Sequence, residues 1–232
     1  MKPKVLISVP TQGTMNVNMF TPLLQMTRDP RVDLKIGFPN YKPYVWGLHN
    51  MVNETLKGGF DYLINIDEDN PPINNVLDLI FLDKDVIGCP TPVWKDENLK
   101  HGYPVMYNVY TKADDVDAYD PVVPTPNERG MVQGLYEVDV VGTGCIVIAR
   151  RVLEAVKAPF MREWNEDGTV AMGNDMSFCR RVKEHGFKVW AHFDYACSHY
   201  KTVNLRDTLT WITTRLTEQR CSVSELPATI GV

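Results

Sequence analysis

The stretch YLINIDEDNPP (residues 62–72) joins a largely apolar run to three consecutive carboxylates. The run YLINI is short and typical of a buried strand, and Pro71-Pro72 closes the segment. Because adjacent carboxylates repel one another, an ordinary surface turn has no need of three. The triplet either holds a cation or forms a solvated acidic turn before a helix predicted at 72–82, whose dipole it would complement. These residues alone leave both interpretations open.

Outward from this stretch, strand and helix patterns alternate through the first 90 residues. Short apolar runs, several of them closed by proline, predict strands at residues 4–10, 32–38, 60–66 and 85–90. Apolar residues at helical spacing predict helices at residues 15–28, 42–59 and 72–82. Such alternation predicts an α/β fold with a Rossmann-like, mostly parallel central sheet and helices on both faces.

The pattern changes after residue 90. Residues 91–134 are rich in Pro, Asp, Asn and Gly with one strand-like piece, which predicts a long loop region containing a β-ribbon. Two apolar strand runs follow, joined by a glycine turn at 142–144. A helix is predicted at 174–186 with Asn174 as its N-cap, and a last helix at 203–221.

Composition limits the class of protein. The 232 residues are 44% hydrophobic, enough for a sizeable core in one large domain or two small ones. A net charge of −5 gives no general basic field for binding nucleic acid. No apolar run is long enough for a membrane span or a signal peptide. The five cysteines, odd in number and without a CxxC pair, are typical of reduced core thiols. We therefore expect a cytoplasmic protein with no membrane span.

Polar residues recur where the predicted strands and helices begin or end. In α/β sheets ligands bind outside the carboxyl ends of the parallel strands, where Asp67 and Asp69 lie. Alternate residues of an extended segment face one side, so these two carboxylates can share a face and offer the oxygen ligands that Mg²⁺ and Mn²⁺ prefer. Further along come the glycine turn at 142–144, where a backbone can approach a ligand closely, then Asp175 in a first helical turn and His199 at a strand end.

In this order the motifs resemble those of the GT-A family of nucleotide-sugar glycosyltransferases. INIDED (64–69) is similar to the family's Asp-X-Asp motif, and GTGCIVIARRVLE (142–154) is similar to its acceptor-side glycine turn. NDMSFCRR (174–181) is similar to the start of a helix that carries acidic residues in that family. The resemblance covers about residues 4–200 in order, and the combination is more specific than any single motif.

The resemblance implies a role for each matching residue. Asp175 would be the catalytic base or an acceptor contact. The metal ligands would be Asp67, Asp69 and His199. Contacts to the nucleotide-sugar would come from Pro10, Thr11, His49, Asn50, Asp67, Glu68 and Gly144, with the first two lining the base. Lys201 is a separate candidate for binding a phosphate of the donor, because it directly follows His199 near the expected metal.

The implied organisation is a single GT-A-like domain over residues 1–232. Residues 1–90 would form the nucleotide-sugar-binding half, and residues 91–205 the acceptor and catalytic half, with the smaller β-ribbon on the acceptor side. Residues 206–232 would form a C-terminal helical tail. In the predicted loops beside the cleft, Trp94 and Trp164 are candidates for stacking on a sugar, whereas Trp46 is interpreted as a packing residue.

The activity that follows from the resemblance is metal-dependent glycosyl transfer. The enzyme would use Mn²⁺ or Mg²⁺ to move a hexosyl or pentosyl group from a UDP- or GDP-sugar to a hydroxyl acceptor. The acceptor is left open: a glycan, a small molecule, a protein or a modified nucleic acid.

Two alternatives remain. A nucleotidyltransferase acting on sugar phosphates normally has a glycine- and basic-rich phosphate loop, and VPTQGTMN (9–16) supplies one glycine and no Arg or Lys. A non-catalytic nucleotide-sugar-binding module stays open because Asn174 stands where the family often has Glu.

Overall fold

A computed structural model describes residues 1–40, 43–94, 105–113, 118–122, 128, 132–202 and 205–224. It divides the chain into two compact units. The first comprises Met1–Trp94 and Val105–Tyr200, and the second comprises Lys95–Pro104 and Lys201–Val232.

A seven-stranded sheet organises the first unit. Its strands, in sheet order, are β2 (Asp33–Gly37), β1 (Lys4–Ser8), β3 (Tyr62–Ile66), β11 (Cys145–Ala149), β4 (Val86–Gly88), β14 (Val189–His192) and β9 (Leu135–Val138). Strands β2, β1, β3, β4 and β14 point the same way, whereas β11 and β9 run antiparallel to their neighbours. The structure confirms the mostly parallel central sheet.

Helices cover both faces of this sheet, as predicted. They are α1 (Phe20–Thr27), α2 (Tyr44–Gly58), α3 (Arg150–Ala155) and α4 (Asn174–Glu184). Helices α2, α3 and α4 pack on one apolar cluster that includes Leu63 of β3. Helix α1 and a 3-10 helix (Val76–Leu82) pack on a second cluster that includes Ile64. Adjacent residues of β3 thus feed opposite cores, because side chains alternate across a strand.

The remaining described strands form small sheets. They are β5 (Pro92–Trp94) with β6 (Val105–Tyr107); β7 (Val109–Lys112) with β8 (Tyr119–Pro121) and β10 (Val140–Val141); and β12 (Glu163–Trp164) with β13 (Val170–Met172). Antiparallel ribbons after residue 90 are therefore confirmed. Within the predicted 91–134 loop region, residues 95–104, 114–117, 123–127 and 129–131 lie outside the described residues.

The second unit contains α5 (Leu205–Ser224), close to the helix predicted at 203–221. Residues 225–232 of the predicted tail lie outside the described residues. In the part of the chain that the structure describes, none of the helices combines the length and apolar character that crossing a bilayer requires.

Two local predictions were wrong. The segment predicted as a helix at 72–82 is extended at its start and becomes a 3-10 helix only at Val76, after the prolines, with Asn75 capping it through a bond from Leu77 N (3.2 Å). Helix α4 has Gly173 rather than Asn174 at its N-cap. Asn174 lies inside the helix, and its side-chain amide donates to Asp175 instead (2.7 Å).

Candidate active site

The three carboxylates occupy a tight turn at the carboxyl end of β3. The turn closes with a bond from Asn70 N to Asp67 O (3.0 Å), so the chain is no longer extended there and strand alternation does not decide which way the side chains face. Three other segments hold the turn through its backbone. Asp67 N donates to Gly144 O (2.7 Å), Asn16 N donates to Glu68 O (3.1 Å), and Tyr200 N donates to Asp69 O (3.0 Å). The turn is a fixed part of the scaffold.

Asp67 lies on the α2 side of the turn in a polar pocket. Its Oδ1 accepts from the Tyr44 hydroxyl (2.7 Å) and from Asn65 Nδ2 (3.1 Å). Burial raises the pKa of Asp67 to about 7; the bonds from Tyr44 and Asn65 oppose that rise, and the negative charges of Asp175 and Asp69 add to it. Near neutral pH this carboxyl is therefore poised between its two protonation states, and a nearby cation would favour the ionised one.

Asp69 faces His199 on the other side of the turn. His199 Nε2 lies 3.6 Å from Asp69 Oδ2, beyond hydrogen-bonding distance. His199 Nδ1 lies 2.6 Å from the Pro92 carbonyl oxygen, and because a carbonyl can only accept, Nδ1 is the donor of this bond and Nε2 is the ring nitrogen that faces Asp69. Metal-binding histidines are typically oriented in this way, by donating their second ring nitrogen to a carbonyl.

Asp175 lies across the glycine turn in the first turn of α4. Its Oδ1 accepts from Thr143 Oγ1 (2.9 Å) and from Asn174 Nδ2 (2.7 Å). Burial raises the pKa of Asp175, opposed mainly by the bonds from Thr143. Thr143 links Asp175 to the acidic turn, because its carbonyl accepts from the Asn65 amide that also donates to Asp67. The charge of Asp175 accordingly raises the pKa of Tyr44 and of Asp67. The structure thus brings together Asp67, Asp69, Asp175 and His199, although the first and last of these are 132 positions apart in the sequence.

The glycine turn itself is packed against the protein rather than left open. A Cβ at Gly142 would lie 1.8 Å from the side-chain amide of Asn108, and one at Gly144 would lie 2.1 Å from that of Asn70. The sequence predicted that these glycines admit a ligand; in the structure they admit two asparagine side chains. Gly144 still supports the site, because its carbonyl holds Asp67 N.

Gly144→Ala tests this packing. The new methyl group would overlap the buried Asn70 amide, so we expect a loss of roughly 1–3 kcal/mol in the free energy of unfolding, measured by urea denaturation. Gly37→Ala is the matched control, since a Cβ there meets nothing nearer than 4.0 Å. Equal stability of the two variants would show that the Asn70 side chain can move aside.

Other candidates lie in different surroundings. Pro10 and Thr11 follow β1, and the adjoining Gln12 N lies 3.3 Å from Glu68 Oε2, which places this loop beside the acidic turn. His49 Nε2 instead accepts from Phe160 N (3.2 Å).

For two further candidates, Asn50 and Lys201, the structure gives a location in the fold. Asn50 lines a surface groove with Lys35 and Glu54. Lys201 is the first residue of its segment in the second unit.

Sequence reasoning missed Tyr44, Asn65 and Thr143, whose side chains hold the two central carboxylates. Asn65 was the detectable one, because a single amide inside the apolar run YLINI must find polar partners when the strand is buried. In the structure its Nδ2 donates to Asp67 and to Thr143 O (2.8 Å), which ties β3 to the glycine turn. Nothing in the sequence indicates that the Tyr44 hydroxyl reaches Asp67.

The raised pKa of Asp67 predicts how stability depends on pH. Because the folded pKa (about 7) exceeds the 3.8 of an aspartate in an unfolded chain, the folded metal-free protein holds a proton at intermediate pH that the unfolded chain has released. Asp67 therefore contributes a stability that is complete below about pH 4 and is lost as the pH rises to about 7.

Asp67→Asn keeps an acceptor for Tyr44 but cannot ionise. In EDTA-treated protein we expect the variant to melt higher than the original chain at pH 8, with the gap closing toward pH 5. A gap that stays constant between these pH values would mean that Asp67 does not titrate with a raised pKa.

The four described cysteines are unpaired and buried, as predicted. Three of them, Cys89, Cys145 and Cys197, also converge, with Sγ atoms within 4.8 Å of one another. They pack within the α1-side apolar cluster. Their wide spacing in the sequence does not reveal this convergence.

Comparison with known proteins places the fold. No known family model and no curated protein matches the chain. Among solved structures, the crystal structure of A197 from STIV is 18% identical, covers 86% of each chain and superposes with a TM-score of 0.56. The identity is low and the coverage is high, so this similarity shows a shared fold.

Weaker similarities involve two enzymes in complex with a nucleotide or a nucleotide-sugar. CMP:2-keto-3-deoxy-manno-octonic acid synthetase complexed with CTP is 13% identical over 94% of this chain and 100% of its own, with a TM-score of 0.43. UDP-glucose pyrophosphorylase complexed with UDP-glucose is 8% identical over the same fractions, with a TM-score of 0.47. These scores are too low to support an inference about this chain.

Proposed function

We propose that this chain is a metal-dependent glycosyltransferase that uses a nucleoside-diphosphate sugar, UDP- or GDP-linked. The observation that carries the proposal is the Asp69–His199 pair beside Asp67 at the carboxyl end of a central parallel strand. This edge of an α/β sheet is where such folds bind their ligands. A solvated acidic turn would not need a histidine whose second nitrogen is already anchored to a carbonyl.

The donor set fits a divalent cation. Metal–ligand bonds of about 2.0–2.2 Å to carboxylate oxygen and imidazole nitrogen leave roughly 3–4 Å between neighbouring donor atoms, a range that includes the 3.6 Å between Asp69 Oδ2 and His199 Nε2. Carboxylates favour Mg²⁺ or Mn²⁺, so Asp69 and His199 would bind the cation together. Asp67, whose Oδ1 accepts from Tyr44 and Asn65, would lie nearby and add its negative charge. When bound, the cation would neutralise the charge that builds on the departing diphosphate.

The nucleoside would lie over the loop after β1. Pro10 and Thr11 belong to that loop, and Glu68 joins it to the acidic turn through Gln12 N. Gly144 would contribute through its backbone, which already orients Asp67. His49 and Asn50, whose contacts lie elsewhere, are not required by this proposal.

Asp175 would accept the proton of the acceptor hydroxyl. A base works best when its pKa lies near the working pH, and burial moves the pKa of Asp175 upward, in that direction. The bonds from Thr143 and Asn174 to Oδ1 hold the carboxylate in one orientation. Asn174, which replaces the Glu often found in the GT-A family, would therefore act as a positioning residue.

The deciding experiment separates glycosyl transfer from its alternatives. UDP- and GDP-sugars are first screened with Mn²⁺ for thermal stabilisation, and the best donor is incubated with and without pyrophosphate. Glycosyl transfer or donor hydrolysis releases the nucleoside diphosphate, which is the result we expect. Nucleotidyl transfer would instead give nucleoside triphosphate and sugar 1-phosphate, and only with pyrophosphate. Stabilisation without any turnover would identify a non-catalytic binding module.

A further inference from the structure

A small cleft between the start of α2 and the β12 hairpin carries two exposed indole rings. The cleft has a volume of about 230 Å³. It is lined by Pro43, Tyr44, Val45, Trp46, Met161, Arg162 and Trp164. The side chains of Trp46 and Trp164 are 67% and 59% exposed. The sequence interpretation of Trp46 as a packing residue is therefore wrong.

Exposing two indoles at one cleft is costly for a structure that could bury them. Large apolar side chains that share an exposed concave surface commonly mark a binding site, whereas scattered single ones are ordinary. Indole rings bind ligands well because they offer a flat apolar face and one polar N–H while losing little rotamer freedom. The cleft is thus better suited to a ligand than to packing.

Residues on both sides of the cleft form hydrogen bonds with residues or helices of the candidate active site. On the α2 wall, Tyr44 donates its hydroxyl to Asp67 (2.7 Å), and Trp46 follows two residues later in the same first turn. On the hairpin wall, Ser177 Oγ of α4 donates to Met161 O (2.6 Å) and lies 3.0 Å from Glu163 Oε1.

Helix α4 is also the helix that begins next to Asp175. Arg180 of α4 forms an ion pair with Glu163, which adds a second tether to the hairpin. Ser177, which contacts Met161 of the cleft, lies two residues after Asp175 in this helix. In keeping with that placement, the positive charge of Arg162 in the cleft wall lowers the pKa of Asp175. A ligand in the cleft would therefore lie beside the proposed base.

We propose that this cleft is the acceptor subsite and that its occupant is a saccharide, with one pyranose ring packed against Trp46 and Trp164 and a hydroxyl directed at Asp175. This inference rests on the proposed glycosyl transfer. The C–H face of a pyranose matches an indole face, and its hydroxyl groups can accept from the Arg162 guanidinium. The volume is below the 300–1,000 Å³ typical of drug-sized ligands and suits a single ring.

Charge favours a saccharide over a nucleic acid. The acceptor hydroxyl must approach Asp67, Asp69 and Asp175, which would repel a polyphosphate backbone. Within the cleft lining, Arg162 is the one cationic side chain. The net charge of −5 adds no wider attraction for a polyanion.

The test uses methyl glycosides of glucose, galactose, mannose and N-acetylglucosamine as probes. Binding to the whole protein is measured by saturation-transfer NMR, which does not depend on tryptophan as the reporter. We expect at least one glycoside to bind, and Trp46→Ala and Trp164→Ala each to weaken its Kd by about tenfold, with Trp46→Phe restoring part of the loss. Phe81→Ala, which removes a 49% exposed aromatic ring outside the cleft, should leave the Kd unchanged.

The outcomes separate the subsite from the proposed reaction. Absence of glycoside binding, or binding that both alanine variants leave intact, would overturn the subsite. Binding of nucleosides or short peptides in its place, with the same tryptophan dependence, would overturn the saccharide assignment. Donor binding with Mn²⁺ is titrated separately, and its absence would count against the proposed function even where glycosides bind the cleft. Once a donor is known, the alanine variants should raise the acceptor KM about tenfold with little change in donor KM.

Discussion

Asp69→Ala is expected to abolish the Mn²⁺-dependent part of nucleotide-sugar binding while the protein stays folded. Asp69 faces His199 across 3.6 Å, so its removal takes away one ligand and leaves the other without its partner. Loss of partners that only orient a ligand typically costs 10- to 100-fold in metal affinity, so loss of the ligand itself should cost about 100-fold or more. Isothermal titration of the donor at several Mn²⁺ concentrations measures the effect.

The control for Asp69→Ala is Asp33→Ala. Asp33 is an exposed carboxylate at the start of β2, the opposite end of a parallel strand. It should leave metal and donor binding unchanged. His199→Ala should repeat the Asp69→Ala defect, and the double variant should be little worse than either single one, because residues that share a cation are not additive. Additive losses, or metal binding that survives in Asp69→Ala, would remove this pair from the metal site.

Asp175→Asn is expected to lower turnover by about two to four orders of magnitude with donor binding nearly unchanged. Asparagine keeps an oxygen for Thr143 but cannot accept a proton at the acceptor hydroxyl. A carboxylate that only complements the dipole of α4 would contribute about 0.3–1 kcal/mol of stability and almost no rate. The measurement is single-turnover transfer with saturating donor, together with the urea midpoint of the same preparation.

Thr143→Val tests the orientation of the Asp175 carboxylate separately from its ability to accept a proton. It removes a hydrogen bond to Asp175 and leaves the carboxylate able to ionise. We expect a smaller rate loss than for Asp175→Asn, with a changed pH dependence of kcat because the bonds from Thr143 lower the pKa of Asp175. An Asp175→Asn protein that keeps most of its transfer activity would exclude Asp175 as the base.

Much of the site could be predicted because it follows from where strands end. The apolar run YLINI identified β3, and a parallel α/β sheet brings the loops at the carboxyl ends of its strands to one edge. That rule, which depends only on the order of strands and helices, placed Asp67 and Asp69 at this edge. Asp175 and His199 were grouped with them through the resemblance of the ordered motifs to the GT-A family.

Contacts that depend on side-chain reach could not be predicted. The Tyr44 hydroxyl of α2 donates to Asp67, and the side-chain amides of Asn70 and Asn108 fill the space beside the glycine turn. The antiparallel direction of β11 could not be predicted either. Its sequence CIVIA is buried on both faces, and such an apolar run is equally compatible with a parallel or an antiparallel strand.

The sequence by itself determined the alternating architecture and the acidic turn that follows β3. Both are written in short-range patterns: alternation of apolar residues, prolines that end strands, and polar residues that follow them. Only the tertiary structure decided that Asp67 is buried enough for its pKa to rise to about 7, and that Trp46 and Trp164 face one cleft. Burial and convergence arise from packing between segments far apart in the chain, and no local pattern records them.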